Sequence, residues 1–168
     1  MKASNFRKMA NRPNTRRKYI KGVPDSKVVK FTMGNPGRDF ESTFTLISRK
    51  EGQIRHNALE SARIAANRYL ELHLGVENYV LKIIPYPHHV LRENRRLNVA
   101  QADRFQSGMR LAFGKSVGVA ARVKRRKSIV KVGIMEKDRK VAEEALRRAS
   151  HKLPIPCKIV MIKTRTNM

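Results

Sequence analysis

Apolar residues recur along this chain at two spacings, and the spacing divides it into elements. Phe44 and Leu46 alternate with Thr43 and Thr45, the two-residue period of a half-buried strand. The same reading gives strands over Val28–Met33, Tyr79–Ile84, Val117–Val123, Ile129–Ile134 and Ile159–Ile162. Met33-Gly34-Asn35-Pro36-Gly37 punctuates the first two as a turn or loop. Between Asn57 and Leu74 the period lengthens to that of a helix. Leu59, Ala62, Ala66, Tyr69 and Leu70 share one face, and Arg63, Asn67, Arg68 and Glu71 the other. Asn57 with Glu60 three positions on reads as a capping box, and Gly75 as a left-handed C-terminal cap. A second helix is expected over about 137–151, with Val141, Ala142, Ala145, Leu146 and Ala149 inward. Pro154 bars its continuation. Glu143–Arg147 and Glu144–Arg148 stand at i,i+4 in the favourable order. Strands and helices in this order predict an α+β fold. It is an α/β sandwich with two main helices packed on a mixed, mostly antiparallel sheet. Val117–Val123 and Ile129–Ile134, joined by the tight link Lys124-Arg125-Arg126-Lys127-Ser128, read as a hairpin.

Two segments escape both periods. Residues 1–22 form a basic arm in which Lys2, Arg7, Lys8, Arg12, Arg16, Arg17, Lys18 and Lys21 face no acid. Such a segment cannot bury enough apolar surface to fold alone. It reads as a solvated tail or as one that orders on RNA. The other is the loop 94–115, rich in Arg, Gln, Ser and Gly. Long loops inside compact domains usually carry function or are disordered. The organisation expected is an arm over 1–22 and one domain over 23–168. The loop is expected to order fully only against its partner.

Charge decides the class of partner. The 168 residues contain 38 Lys and Arg against 13 Asp and Glu, a net charge of +25. Self-repulsion of that size is relieved by a polyanion, and nucleic acid is the first candidate. A membrane surface is second and weaker, because no long apolar run or basic helix with a bulky apolar face is present. The N-terminus has no signal-peptide apolar core. The single Cys157 excludes an internal disulfide framework and a thiolate metal site, so a cytosolic setting is expected.

The chain offers no convincing catalytic or metal set. His88 and His89 are adjacent, so on an extended backbone they point to opposite faces and cannot bind one ion together. Asp103 beside Arg104 reads as the partner of a neighbouring Arg. Gly108 and Gly114 lack the phosphate-loop pattern. Cys157, between Pro156 and an apolar strand, reads as a buried, inert thiol. What remains suits RNA. Arg and Lys neutralise phosphates, Asn, Gln and Ser reach 2′-hydroxyls and base edges, and Tyr86, Phe105 and Phe113 are candidates for stacking on unpaired bases. Arg12, Arg16, Arg17 and Lys18 of the arm, and Arg122, Arg125 and Arg126 around the link, are the candidate phosphate contacts. An RNA-modifying enzyme and a free-standing RNA-binding regulator are the alternatives in other classes.

Four stretches carry a resemblance: QIRHNALESARIAANRYL (53–70), YPHHVLREN (86–94), ADRFQSGMRLAFGK (102–115) and EEALRRASHKLPIPCKI (143–159). In order and in wording they resemble the large-subunit ribosomal protein family called ten-e in archaea and eukaryotes and sixteen in bacteria. The short C-terminus is similar to the archaeal form. The resemblance implies an α/β sandwich that binds large-subunit rRNA in the cytoplasmic ribosome, beside neighbouring ribosomal proteins. It also implies a loop reaching toward tRNA at the aminoacyl site, and a structural rather than enzymatic role without cofactor or metal. By motif, His88, His89, Arg92 and Asn94 fall in an RNA-facing segment, and Arg95 directly after them joins that set. Arg104, Gln106, Arg110 and Lys115 fall in the tRNA-side loop. The family's usual Gly-Ala-Gly before Ala-Asp-Arg is Val99, Ala100 and Gln101 here, which restricts the backbone at two positions.

Overall fold

The computed structural model describes residues 6, 8–15, 17–20, 22–94 and 113–163. Eight strands and two helices follow in the order β1 (Thr32–Gly34), β2 (Ser42–Ser48), β3 (Gly52–Arg55), α1 (His56–Leu74), β4 (Tyr79–Ile83), β5 (His89–Glu93), β6 (Lys115–Val123), β7 (Ser128–Ile134), α2 (Arg139–Ser150) and β8 (Cys157–Lys163). The result is the α+β sandwich expected from the pattern. Its strands divide into a five-stranded sheet, β1-β4-β7-β2-β8, and a three-stranded sheet, β3-β6-β5. Every pairing is antiparallel.

Register explains why the five-stranded sheet has one oily face. Phe44 lies opposite Val132 and Met161, and Val132 opposite Leu81. In the next row Leu46 lies opposite Val130 and Ile159, and Val130 opposite Ile83. These rows form one core with Leu59, Ala62, Ala66 and Leu70 of α1 and Ala142, Ala145, Leu146 and Ala149 of α2. The alanines let the two helices touch each other as well as the sheets. Tyr79 is buried in the same core, and its hydroxyl donates to Asn67 Oδ1 at 2.8 Å. Burial pushes its pKa up, and the nearby Glu71 carboxylate adds to the shift.

Several local expectations need correction. The strand expected over Val28–Met33 is confined to Thr32–Gly34, because Val28 turns into the core and its N–H goes to Ser26 Oγ. Strand β3 was hidden in the polar sequence Gly52-Gln53-Ile54-Arg55. It runs straight into α1, so Arg55 occupies the cap position while still paired with Ala120. The helix therefore starts at His56, and Asn57 lies inside it and caps nothing. Glu60 pairs instead with Arg63, at 2.9 and 2.5 Å, which holds that guanidinium's pKa above its ordinary value. Gly75 does end α1 with a positive φ of 73°, but its ψ of 160° is not left-handed helical. On α2, Glu143 bonds Arg139 at 2.8 Å, and Glu144 takes both Arg147 and Arg148. Those two arginines lower the Glu144 pKa.

The expected β6–β7 hairpin does not form. The two strands belong to different sheets, so Lys124–Lys127 turns the chain from one sheet to the other. The described residues of 8–15, 17–20 and 22–31 form a strap along the three-stranded sheet that enters the core at Val28.

Candidate nucleic-acid interface

The corner between β6 and β7 is built around Ser48. Its backbone N–H donates to Lys127 O at 3.0 Å, and its carbonyl accepts from Arg126 N at 2.9 Å. Its hydroxyl donates to Lys124 O at 2.7 Å and accepts from Lys127 N at 3.3 Å. These bonds tie the corner to the end of β2. Arg126 has a φ of 63°, a left-handed conformation that costs a non-glycine residue about 1–2 kcal/mol. The turn thus holds Lys124, Arg125, Arg126 and Lys127 in solvent, beside the exposed Arg49 and Lys50. A cluster of like charges in which Glu51 is, among the described residues, the one acid lining the same cavity as Arg49, Lys50 and Arg125 suits an anionic ligand.

The strap lies along the three-stranded sheet and is tied to it at intervals. Arg122 of β6 donates to Asn11 O at 2.6 Å, to Met9 O, and to Lys8 O at 3.4 Å. His89 of β5 is buried, and its Nδ1 accepts the Asn14 N–H at 2.8 Å, while Asn14 O accepts from Val90 N at 2.9 Å. Ser116 Oγ donates to Gly22 O. Further along, His56 Nδ1 accepts the Lys27 N–H at 2.9 Å. Burial, with Arg55 and Lys27 nearby, pushes the His56 pKa down and keeps it a neutral acceptor. Arg122 and His89 are thus engaged in holding the strap, whereas Arg12 and Lys18 upon it are exposed. His88, on the other face from His89, is exposed, with Nδ1 2.9 Å from Tyr86 O.

A register shift in the β5–β6 pairing falls between Leu91 and Arg92, a bulge that re-aims the Arg92 side chain. Gly114 lies so close to the end of β5 that a Cβ would stand 2.7 Å from the Glu93 carbonyl carbon and 2.9 Å from Asn94 N. That approach sets Phe113 against Arg92, whose guanidinium sits 3.6 Å from the ring centroid. Asn94 and Lys115 are exposed at the same end of the sheet. Arg17 lies on a one-turn 3-10 helix, Arg17–Tyr19. Arg16, Arg95, Arg104, Gln106 and Arg110, with Asp103, Phe105 and Gly108, lie outside the described residues.

The candidates therefore fall into two groups. The β5–strap end and the Ser48 corner sit at opposite ends of β6, about 26 Å apart at roughly 3.3 Å per residue. Pattern reading missed one further pair. Lys82 and Lys131 are register partners on the outer face of the five-stranded sheet, and both are exposed. Like charges directly opposite each other destabilise a sheet, and an anion would offset that. Their place in alternating strands conceals them, because their adjacency exists only after β4 pairs with β7.

No three His, Cys, Asp or Glu residues lie together as metal ligands among the described residues. Cys157 donates to Ile155 O at 3.3 Å, and burial pushes its pKa up to about 11, so the half-buried thiol is unreactive at neutral pH. No helix among the described residues is long and apolar enough to cross a membrane.

Comparison with known proteins identifies a family. The family described as "Ribosomal protein L16p/L10e" matches residues 2–160. A protein of Staphylothermus marinus named "Large ribosomal subunit protein uL16" is 53% identical over 148 residues, covering 88% of this chain and 85% of its own. Its namesake in Hyperthermus butylicus is 49% identical over 150 residues, covering 89% and 83%. That in Methanococcus maripaludis is 47% identical over 158 residues, covering 94% and 91%. With β3, the Ser48 corner and the strap all inside the matched span, the chain belongs to the ribosomal protein L16p/L10e family.

Proposed function

We propose that this chain is a structural component of the large ribosomal subunit that binds and organises large-subunit rRNA in the cytoplasm. It holds the rRNA beside neighbouring ribosomal proteins and carries no catalytic residue of its own. Loop 94–115 extends to the aminoacyl-tRNA side, with Arg104, Gln106, Arg110 and Lys115 as its contacts. Arg125 and Arg126 grip phosphate at the corner, and Arg12, Arg16, Arg17 and Lys18 of the N-terminal segment do so with His88, Arg92, Asn94 and Arg95. Arg122 and His89 support binding indirectly, by keeping the strap in place.

The observation that carries this reading is the near full-length match to relatives named for the large subunit. The cationic corner tied to Ser48 supports it physically, because bonds within the fold already meet part of its ordering entropy. The test is a salt titration of binding to protein-free large-subunit rRNA. The logarithm of affinity should fall linearly with the logarithm of salt concentration, with a slope of about −0.7 to −0.9 per phosphate neutralised. The chain should also co-sediment with large subunits in high salt. A chain that shows no salt slope and washes off the subunit would defeat the reading.

A further inference from the structure

The strap does not lie flat on the three-stranded sheet. Between them is an open groove of about 590 Å³, lined by Arg12, Asn14, Tyr19 and Ile20 of the strap and by Arg92 and Phe113. That volume falls within the usual range for small-ligand sites, about 300–1,000 Å³. Among the described residues no carboxylate lines it. Arg92 Nε and Nη1 are buried there with no hydrogen-bond acceptor among the described residues. Donors of a charged group left in that state are costly, so these two nitrogens call for an acceptor that the described residues do not supply. The two rings at the groove are unusually exposed, Tyr19 at 65% and Phe113 at 68%. The Arg92 guanidinium already covers the Phe113 ring and draws on its face.

We propose that this groove is a receptor for one unpaired nucleotide of RNA, its base stacked on Tyr19 or Phe113 and its phosphate or base carbonyl on Arg92 and Arg12. Acid-free lining, an orphaned guanidinium and flat exposed rings are together the requirements of single-strand recognition, in which aromatic faces take the base and cations take the backbone. The groove differs in kind from the Ser48 corner, which has four cations and no ring. It reads an extruded base, where the corner reads only charge. The inference rests on the rRNA-binding reading and adds a subsite to it.

The experiment uses the full chain bound to protein-free large-subunit rRNA. Short-wavelength ultraviolet cross-linking followed by mass spectrometry should place a nucleotide adduct on Tyr19 or Phe113. Of Tyr19→Leu and Phe113→Leu, the variant that removes the stacking ring should weaken binding about tenfold while leaving the salt slope unchanged, because a ring contributes stacking and neutralises no phosphate. Both side chains are exposed, and thermal melting of the variants checks that they stay folded. The Arg125→Gln/Arg126→Gln variant is the contrast, and its slope should become shallower. If wild-type chain binds with a normal slope but both ring variants bind equally well, the nucleotide receptor is refuted and the broader reading stands. If rRNA does not bind wild-type chain at all, the broader reading fails first. Adducts that join Tyr19 or Phe113 to a peptide in intact subunits, and never to a nucleotide, assign the groove to a protein neighbour and overturn the proposal.

Discussion

At the scale of single residues, the unusual groups are those that hold the N-terminal strap and those that hold the corner. His56 accepts the Lys27 N–H only when neutral, and its pKa lies below the ordinary imidazole value of about 6.5. The folded chain thus binds fewer protons here than the unfolded chain. The stability this contributes is present above pH ~6.5 and is lost as pH falls through the lowered pKa. Denaturant melts should show stability declining from pH 7 to pH 5, and less steeply in His56→Gln. Equal slopes for the two proteins would remove His56 from the account. Arg126 makes the opposite kind of prediction. Arg126→Gly relieves about 1–2 kcal/mol of left-handed strain and gives back about 0.5–1 kcal/mol in chain entropy. Its melting temperature should therefore hold or rise while its rRNA affinity falls. A less stable Arg126→Gly would show that the guanidinium has a structural contact of its own.

At the scale of elements, sequence legibility followed burial. Both helices and strands β2, β4, β6, β7 and β8 were visible because their apolar residues obey a period, and that period reflects one buried face. Leu59 and Leu146 sit fully buried on those faces. Leu59→Ala and Leu146→Ala should each cost about 2–5 kcal/mol in chemical denaturation. Losses under ~0.5 kcal/mol at both sites would mean that the helices pack differently. Strand β3 was not legible, since only Ile54 of its four residues is fully buried and the element is defined by its pairing with β6. The capping box at Asn57 failed for the same reason. A strand feeding directly into a helix leaves no loop in which a side-chain cap can form. The link 124–128 is held by Ser48, 76 residues before Lys124 in the chain.

At the scale of the whole molecule, the two ends of β6 divide the proposed work. In the proposed reading the corner meets rRNA and loop 94–115 meets the tRNA side. Neutralising Arg125 and Arg126 should lower occupancy of the protein in purified large subunits. Neutralising Arg104 and Arg110 should leave occupancy near normal and slow peptide elongation by those same subunits. The paired measurement is occupancy against elongation rate. Equal loss of occupancy in both variants, or normal elongation by fully occupied loop-variant subunits, would end the division.

Composition and period alone determined the fold class, the helical core faces and the anionic character of the partner, since all three are sums or repeats along the chain. A charge of +25 needs no coordinates to imply a polyanion. Tertiary structure decided which cations are free to meet it. Arg122 and Arg125 read alike in sequence. Folding sets Arg122 on the carbonyls of residues 8, 9 and 11 and leaves Arg125 in solvent on a strained turn. It also turned an acid-free tail into a strap, by giving Asn14 a histidine and a strand edge to bond. Those bonds join residues 75 positions or more apart, and a local pattern carries no record of such partners.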